Sequence, residues 1–199
     1  FNKILRRYGS TQIRNVATIA GNIATASPIG DNLPLLLALD SKVVLQGIKK
    51  NKILPINDFF ISYRKTKLKP GQFIHSIRIP IPDNNIFKAY KISKRFDDDI
   101  SSVCAAFNLK IEKQKIINVK IAYGGMSAIP KRATYCEKVL LNSSITKEVI
   151  EKAKNALEKD FVPVSDMRAS RNYRNVIAKN LLEKCFLEIN GKKLIGIYS

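Results

Sequence analysis

Apolar residues recur at helical spacing from the first position, at Phe1, Ile4, Leu5 and Tyr8, which predicts a helix already under way and a chain that starts inside a domain. Pro34 followed by LLLAL predicts a short buried helix over 32–39, with the proline at its first helical position. Residues 42–48 and 72–79 read as strands, the second alternating Phe73, His75, Ile77 and Ile79 against Ile74, Ser76 and Arg78. The PIPDNN run at 80–85 breaks the periodicity and marks the best boundary in the chain. Beyond it, 86–93, 102–111 and 116–123 predict three consecutive antiparallel strands, the last two joined through a Glu-Lys-Gln-Lys connection at 112–115. Gly124-Gly125-Met126 reads as a sharp strand exit, after which the period becomes helical. Helices are predicted over 132–141, over 146–157 with Val149, Ile150, Ala153 and Leu157 on one face, and over 168–189 with a stripe of Tyr173, Val176, Ile177, Leu181 and Cys185. The sum is an α+β fold whose second part is a three-stranded antiparallel sheet with helices packed on one face.

Composition narrows the class. A chain of 199 residues that is 45% hydrophobic can bury a core. No apolar run approaches the roughly 20 residues of a membrane span, and no secretory leader is visible, so a cytoplasmic protein without a membrane segment is expected. Cys104, Cys136 and Cys185 are far apart and odd in number, which suits neither a disulfide framework nor a thiolate metal site, and the lone histidine, His75, excludes multi-histidine metal sites. The formal charge of +19 is the footprint of a nucleic-acid binder. Its distribution argues otherwise, because the lysines scatter from Lys3 to Lys193 with no basic helix and no zinc-finger spacing. No nucleic-acid partner is therefore expected, and a basic binding module stands as the weaker alternative.

Few residues carry candidate chemistry. In Thr18-Ile19-Ala20-Gly21-Asn22 the small side chains let a ligand approach the backbone, although such a stretch is also simply a turn between elements. Asp97, Asp98 and Asp99 form the one acidic cluster, equally readable as a solvated turn. No nucleophile, general base or carboxylate pair has catalytic spacing, and no metal site is expected.

The longer string RNVATIAGNIATASPIGDNLPLLLALDSKVVL, residues 14–45, resembles the second half of the PCMH-type FAD-binding domain of xanthine dehydrogenases and related molybdenum hydroxylases. The resemblance continues through DFFISYRKTKLKPGQFIHSIRIP at 58–80, KAYKISKRFDDDIS at 88–101, AYGGMSAIPKRA at 122–133 and DFVPVSDMRASRNYRNVIAKNLL at 160–182. The pairings of SYRKT with KPGQFI and of KISKRFDDDIS with SDMRAS resemble bacterial xanthine dehydrogenase small subunits. One position departs from the pattern: Ala20 stands where these relatives usually have glycine.

The resemblance implies an FAD-binding part over 1–82, a part similar to the CO dehydrogenase flavoprotein C-terminal domain over 86–190, and a C-terminal helical bundle. It implies FAD contacts at Tyr8, at Thr18, Ile19, Ala20, Gly21 and Asn22, and at Asp31, Ile74 and Lys91. Tyr8 would stack beside the isoalloxazine and Ile74 wall its other side; Asp31 would accept from ribityl or ribose hydroxyls, and Lys91 would place a positive charge near the N1–C2=O end. The acidic loop 97–99 would lie near the flavin and the nicotinamide entrance. It further implies an oxidoreductase passing electrons from [2Fe-2S] clusters through FAD to NAD while hypoxanthine and xanthine become urate. The iron-sulfur domains and the phosphate-cradling half of the FAD domain would precede Phe1, and a molybdopterin-binding large subunit would be the partner. On that reading this stretch alone binds FAD weakly and is inactive; the alternative is a carbon monoxide, aldehyde or N-heterocycle dehydrogenase.

Overall fold

A computed structural model describes residues 2–48, 50–81 and 83–191, so Phe1, the first position of the predicted opening stripe, lies outside the described residues. Four short helices come first: α1 (Asn2–Arg6), α2 (Thr11–Val16), α3 (Ile19–Thr25) and α4 (Asn32–Ala38). Strands β1 (Lys42–Gln46) and β2 (Asn51–Pro55), a 3-10 turn at Ile56–Asp58, and strands β3 (Phe60–Ser62), β4 (Lys65–Thr66) and β5 (Phe73–Arg78) follow. Then come β6 (Ile86–Ile92), β7 (Val103–Glu112), β8 (Lys115–Gly124) and β9 (Lys131–Arg132), and finally α5 (Thr134–Leu140), α6 (Lys147–Asp160) and α7 (Arg171–Ile189). The strands form three antiparallel sheets, β2-β1-β5, β3-β4 and β6-β7-β8-β9. The fold is α+β as expected. The three strands predicted for the second part gain a fourth of two residues, β9, where Lys131 and Arg132 pair with Tyr123 and Ala122.

Strands β7 and β8 are the centre of the molecule because they are buried on both faces. Val103, Ala105, Phe107, Ile121 and Tyr123 point into a core closed by α5, α6 and α7. The buried apolar residues of the opposite face are the small Cys104, Ala106 and Ala122, and α4 packs on it, its Ala38 carbonyl accepting from Asn108 at 3.0 Å. Small side chains there let the helix come close, and every residue of α4 is buried, as a helix apolar on all sides must be. The β7–β8 hairpin turns through Lys113 and Gln114, both at positive φ (48° and 64°), the backbone a two-residue hairpin favours, even though neither is glycine.

Gly124 and Gly125 seat the 27–34 segment on the end of β8. A Cβ on Gly124 would stand 3.1 Å from the Pro28 carbonyl oxygen and 3.2 Å from Pro34, and the Gly125 amide donates to that same carbonyl at 2.7 Å. Gly125, at φ +82°, also leaves room for Arg174, whose guanidinium donates to its carbonyl at 2.9 Å.

Several local expectations change. Pro34 is the third residue of α4, because the chain turns into the helix earlier, with Leu33 N donating to Gly30 O at 3.1 Å. A bulge opposite Val44 and Leu45 breaks the alternation of β5, so that Ile74 and Ile77 both pack on the core while His75 is exposed. Helix α7 is rotated from its predicted stripe: Arg174, Ala178, Leu181, Leu182, Cys185 and Phe186 face inward, and Tyr173 and Val176 are exposed. The inward turn of Arg174 explains the rotation, since its guanidinium donates to Ser102 O, to Gly125 O and, at 2.7 Å, to Asp166. Among the described residues, no helix is long and apolar enough to cross a membrane.

Candidate functional site

The stretch Thr18–Asn22 is a helix start. Thr18 is extended (φ −121°, ψ 150°), and its hydroxyl accepts the Gly21 amide at 2.9 Å, so it caps α3 and satisfies one of the donors left over at a helix N-terminus. Thr18, Ile19 and Gly21 are exposed and Ala20 half-buried, which keeps this first turn at the surface. Asn22 stands beside the Tyr8 phenol, close enough to oppose in part the upward shift of its pKa. The Asn22 Oδ1 atom is buried without a partner. Gly30 makes room for this side chain, since a Cβ there would stand 3.2 Å from Asn22 Nδ2 and 3.0 Å from Leu33.

Tyr8 follows α1 and is half-buried. Burial, then the negative charge of Asp31, push its phenol above its ordinary pKa, so it is a neutral hydroxyl at physiological pH. Arg14 pins the backbone around it by donating to the carbonyls of Tyr8 and Gly9.

Asp31 and Lys91 come from α4 and β6 and meet as a buried ion pair at 2.6 Å, with side chains 7% and 1% exposed. Asp31 sits at the N-cap position of α4 but caps nothing; its carboxylate turns instead to Lys91 and to the Ser101 hydroxyl, which donates to Oδ1. The Cys104 thiol approaches the Asp31 carbonyl at 3.6 Å, and burial first, then Asp31, push that thiol well up.

Lys91 and Arg7 bind each other in both directions. Lys91 Nζ donates to Arg7 O at 2.9 Å, and the Arg7 guanidinium donates to Lys91 O at 2.8 Å. The same guanidinium reaches Ser93 Oγ at 3.1 Å and Phe96 O at 3.0 Å and lies over the Phe96 ring, 4.2 Å from its centroid. Arg7 thus ties α1, and with it Tyr8, to the 93–100 loop that carries the acidic run. In that loop Asp97 and Asp98 are exposed, and Asp98 takes a left-handed backbone (φ 54°). Asp99 closes the loop, and hydrogen bonds from the Arg95 and Ile100 amides hold its carboxyl below its ordinary pKa.

Tyr8, Asn22, Asp31 and Lys91 therefore share one place. Helix α3 lies beside β5, where Ile74 is half-buried against the core that α4 completes. Arg7 and Ser101 hold the cluster together, and sequence reasoning did not single them out. Arg7 lies outside the stretches that carry the resemblance and Ser101 only ends one of them, and their roles depend on contacts 84 and 70 residues away.

A separate cleft of about 470 Å³ lies between Lys94 and the 166–173 segment. Its polar groups largely satisfy one another: Lys94 Nζ donates to Met167 O at 2.7 Å, and the Asp166 carboxylate accepts the Arg168 and Ala169 amides and Arg174. The unpartnered Asn22 oxygen and the exposed α3 turn lie elsewhere, so the candidate site is the cluster around Tyr8.

The residues fit a flavin. They combine small residues at an exposed helix start, a neutral tyrosine, a buried amide oxygen without a partner, and a carboxylate and an ammonium that still hold hydrogen-bonding capacity.

Residues 88–189 match the family model of the CO dehydrogenase flavoprotein C-terminal domain, and residues 1–82 that of the FAD binding domain in molybdopterin dehydrogenase. The chain is 37% identical over 191 residues to a xanthine dehydrogenase of Blastobotrys adeninivorans, an alignment covering 92% of this chain and 14% of that protein. It is 35% identical over 198 residues to the nicotinate hydroxylase hnxS of Emericella nidulans, covering 96% of this chain and 15% of the relative. A solved carbon monoxide dehydrogenase from Hydrogenophaga pseudoflava superposes with a TM-score of 0.87 at 23% identity, covering 92% of this chain and 63% of that one, a likeness of fold. The chain thus spans about a seventh of the length of these two curated relatives.

Proposed function

The chain belongs to the FAD-binding flavoproteins of the molybdenum hydroxylases, an oxidoreductase family, and on that premise we propose that it forms one wall of the flavin site of a xanthine dehydrogenase. The complete enzyme, on this reading, hydroxylates hypoxanthine and xanthine to urate with a molybdopterin-binding subunit and [2Fe-2S] domains, and NAD is the acceptor. When bound, FAD supplies the electron transfer between the iron-sulfur clusters and NAD. The proposal includes the division into 1–82 and 86–190.

The observation that carries the reading is the convergence of Tyr8, Asn22, Asp31 and Lys91 from four separate segments. Each has a task that its surroundings allow. Tyr8 offers an aromatic face beside the isoalloxazine, and Ile74 an apolar one. Thr18, Ile19, Ala20 and Gly21 present backbone at an exposed helix start, and Asn22 brings its unpartnered oxygen. Asp31 accepts one hydrogen bond on each oxygen from Ser101 and Lys91, which leaves a lone pair on each for ribityl or ribose hydroxyls. Lys91, buried with its ammonium on Arg7 O and Asp31, brings a positive charge towards the N1–C2=O end of the flavin.

Asn22→Ala in the complete enzyme tests this. FAD affinity is expected to fall about tenfold, the equivalent of about 1.4 kcal/mol for one lost hydrogen bond in a buried site. Unchanged affinity by flavin fluorescence titration would remove Asn22, and with it the convergence, from the site. Likeness to the nicotinate hydroxylase favours a second reading in which an N-heterocycle is the substrate. Anaerobic bleaching of bound flavin by xanthine but not by nicotinate supports the first reading, and the reverse supports the second.

A further inference from the structure

Charge is paired unevenly in this protein. Residues 41–81 carry nine lysines and arginines against one acid, Asp58. The eight of these cations that are described, from Lys42 to Arg78, are all exposed. None has a carboxylate partner among the described residues, and every ion pair found there lies outside this stretch. Elsewhere several cations do find carboxylates: Lys154 pairs with Glu151 and Glu183, Lys179 with Glu158, and Lys120 with Asp40. Within the lobe, Lys42 and Arg78 even stand directly opposite each other on β1 and β5, an arrangement that costs stability.

The same lobe exposes large apolar side chains among those cations. Ile48 and Ile81 are 93% and 95% exposed, and Ile53, Ile61, Tyr63 and Phe73 are between 46% and 59% exposed. The β3–β4 hairpin, which carries Ile61, Tyr63, Arg64 and Lys65, joins neither larger sheet. Two strands alone are marginal in water, and packing against another surface would steady them.

We propose that residues 41–48 and 50–81 form a docking surface for a carboxylate-bearing protein surface in the remainder of the enzyme. The unpaired cations set the sign of the partner, and the exposed apolar residues set its kind. Cations around aliphatic side chains suit a protein interface, where apolar area is buried and charge fixes the register. Nucleic acid is disfavoured, because these cations stand on short strands and turns with no helix to enter a groove, and the exposed residues are mostly isoleucines, which gain from burial rather than from base stacking. A membrane surface is disfavoured because interfacial binding uses a continuous apolar helix face, and the lobe holds no α-helix. Protein is at hand, since the chain spans only 14% of the xanthine dehydrogenase it matches. The docking surface rests on the proposed larger enzyme but not on which residues touch the flavin.

Lysine footprinting of the native enzyme, purified at low ionic strength, tests the docking surface. Each lysine is acetylated with an N-hydroxysuccinimide ester, read by mass spectrometry, and compared with its own rate after urea unfolding. Lys52, Lys65, Lys67 and Lys69 are expected to be protected about fivefold or more, with protection falling in molar salt as the ion pairs are screened. Zero-length carbodiimide coupling is expected to join them to Asp or Glu residues outside positions 1–199. Full reactivity of all four lysines, or couplings only within this chain, would overturn the proposal. So would protection that appears only when a DNA duplex, or only when phosphatidylserine vesicles, are added.

Discussion

Helices α3 and α7 begin with the same device, a Thr or Ser in extended conformation whose hydroxyl accepts the amide three residues on. Their surroundings differ. At α7 the chain binds its own start: Ser165 accepts the Arg171 amide, Asp166 accepts the Arg168 and Ala169 amides, and the buried Arg174 binds Asp166 and the carbonyls of Ser102 and Gly125, just outside β7 and β8. At α3 nothing comparable arrives. Thr18, Ile19 and Gly21 are exposed, and so are Ile13 and Val16 of α2, which buries no residue at all. Identical capping therefore says little about role. What distinguishes the two is whether the protein's own polar groups are spent on the helix start: beside the α7 cleft they largely are, and at the α3 turn, for which flavin contact is proposed, they are not.

The open end should still be rigid, because a buried ion pair stands behind it. Lys91→Met leaves the Asp31 carboxylate buried with Ser101 as its remaining side-chain partner, and a loss of about 3–5 kcal/mol is expected in urea denaturation. Lys91→Met with Asp31→Asn should recover much of that loss, since no uncompensated charge remains. A single variant as stable as the parent would mean that the cluster is soft, and the contrast with a merely open helix start would disappear.

The closed end yields a smaller effect with a pH signature. Asp166→Asn weakens the bonds to Arg174 and to two amides and should cost about 1–3 kcal/mol at neutral pH. Burial alone would raise the Asp166 pKa, but those amides and Arg174 outweigh it and hold the carboxyl below its ordinary 3.8. A depressed value means that the stabilisation is present above the unfolded-state pKa and is lost as pH falls through the lower folded value. The gap between parent and variant should therefore be constant from neutrality down to about pH 5 and close below 3.8. A gap that persists at lower pH would show that Asp166 acts through shape rather than charge.

Much of this was legible because it rests on local pattern. The strands of the central sheet and the hairpin at 112–115 follow from periodicity and turn residues. Thr18–Asn22 was visible as a tight stretch of small residues but not as a helix, because Ile19–Thr25 is too short to show a period. The inward turn of Arg174 was hidden, since a charged residue in an apolar stripe reads as solvated until its partners, Ser102 and Gly125, are brought up by the sheet. The Asp31–Lys91 pair was hidden for the same reason: both residues were singled out, each as a separate ligand contact, and only the packing of α4 on β7–β8, with β6 alongside β7, makes them partners.

The finest test of the open helix start is Ala20, the second residue of α3, where the family resemblance implies glycine. Ala20→Gly removes one methyl from a half-buried position and gives the backbone more freedom, so the fold should lose about 0.5–1 kcal/mol or less in thermal unfolding. Flavin binding should move the other way. If the cofactor lies against the first turn, the methyl stands between it and the backbone, and its removal tightens FAD in the complete enzyme while stability falls. These opposite signs separate a ligand-facing methyl from a packing methyl, whose loss would weaken both. At Gly21 the same reasoning reverses: Gly21→Ala would place a Cβ 3.0 Å from the Thr18 hydroxyl, crowding the cap and the ligand face together, so FAD affinity and helix start should decline in step.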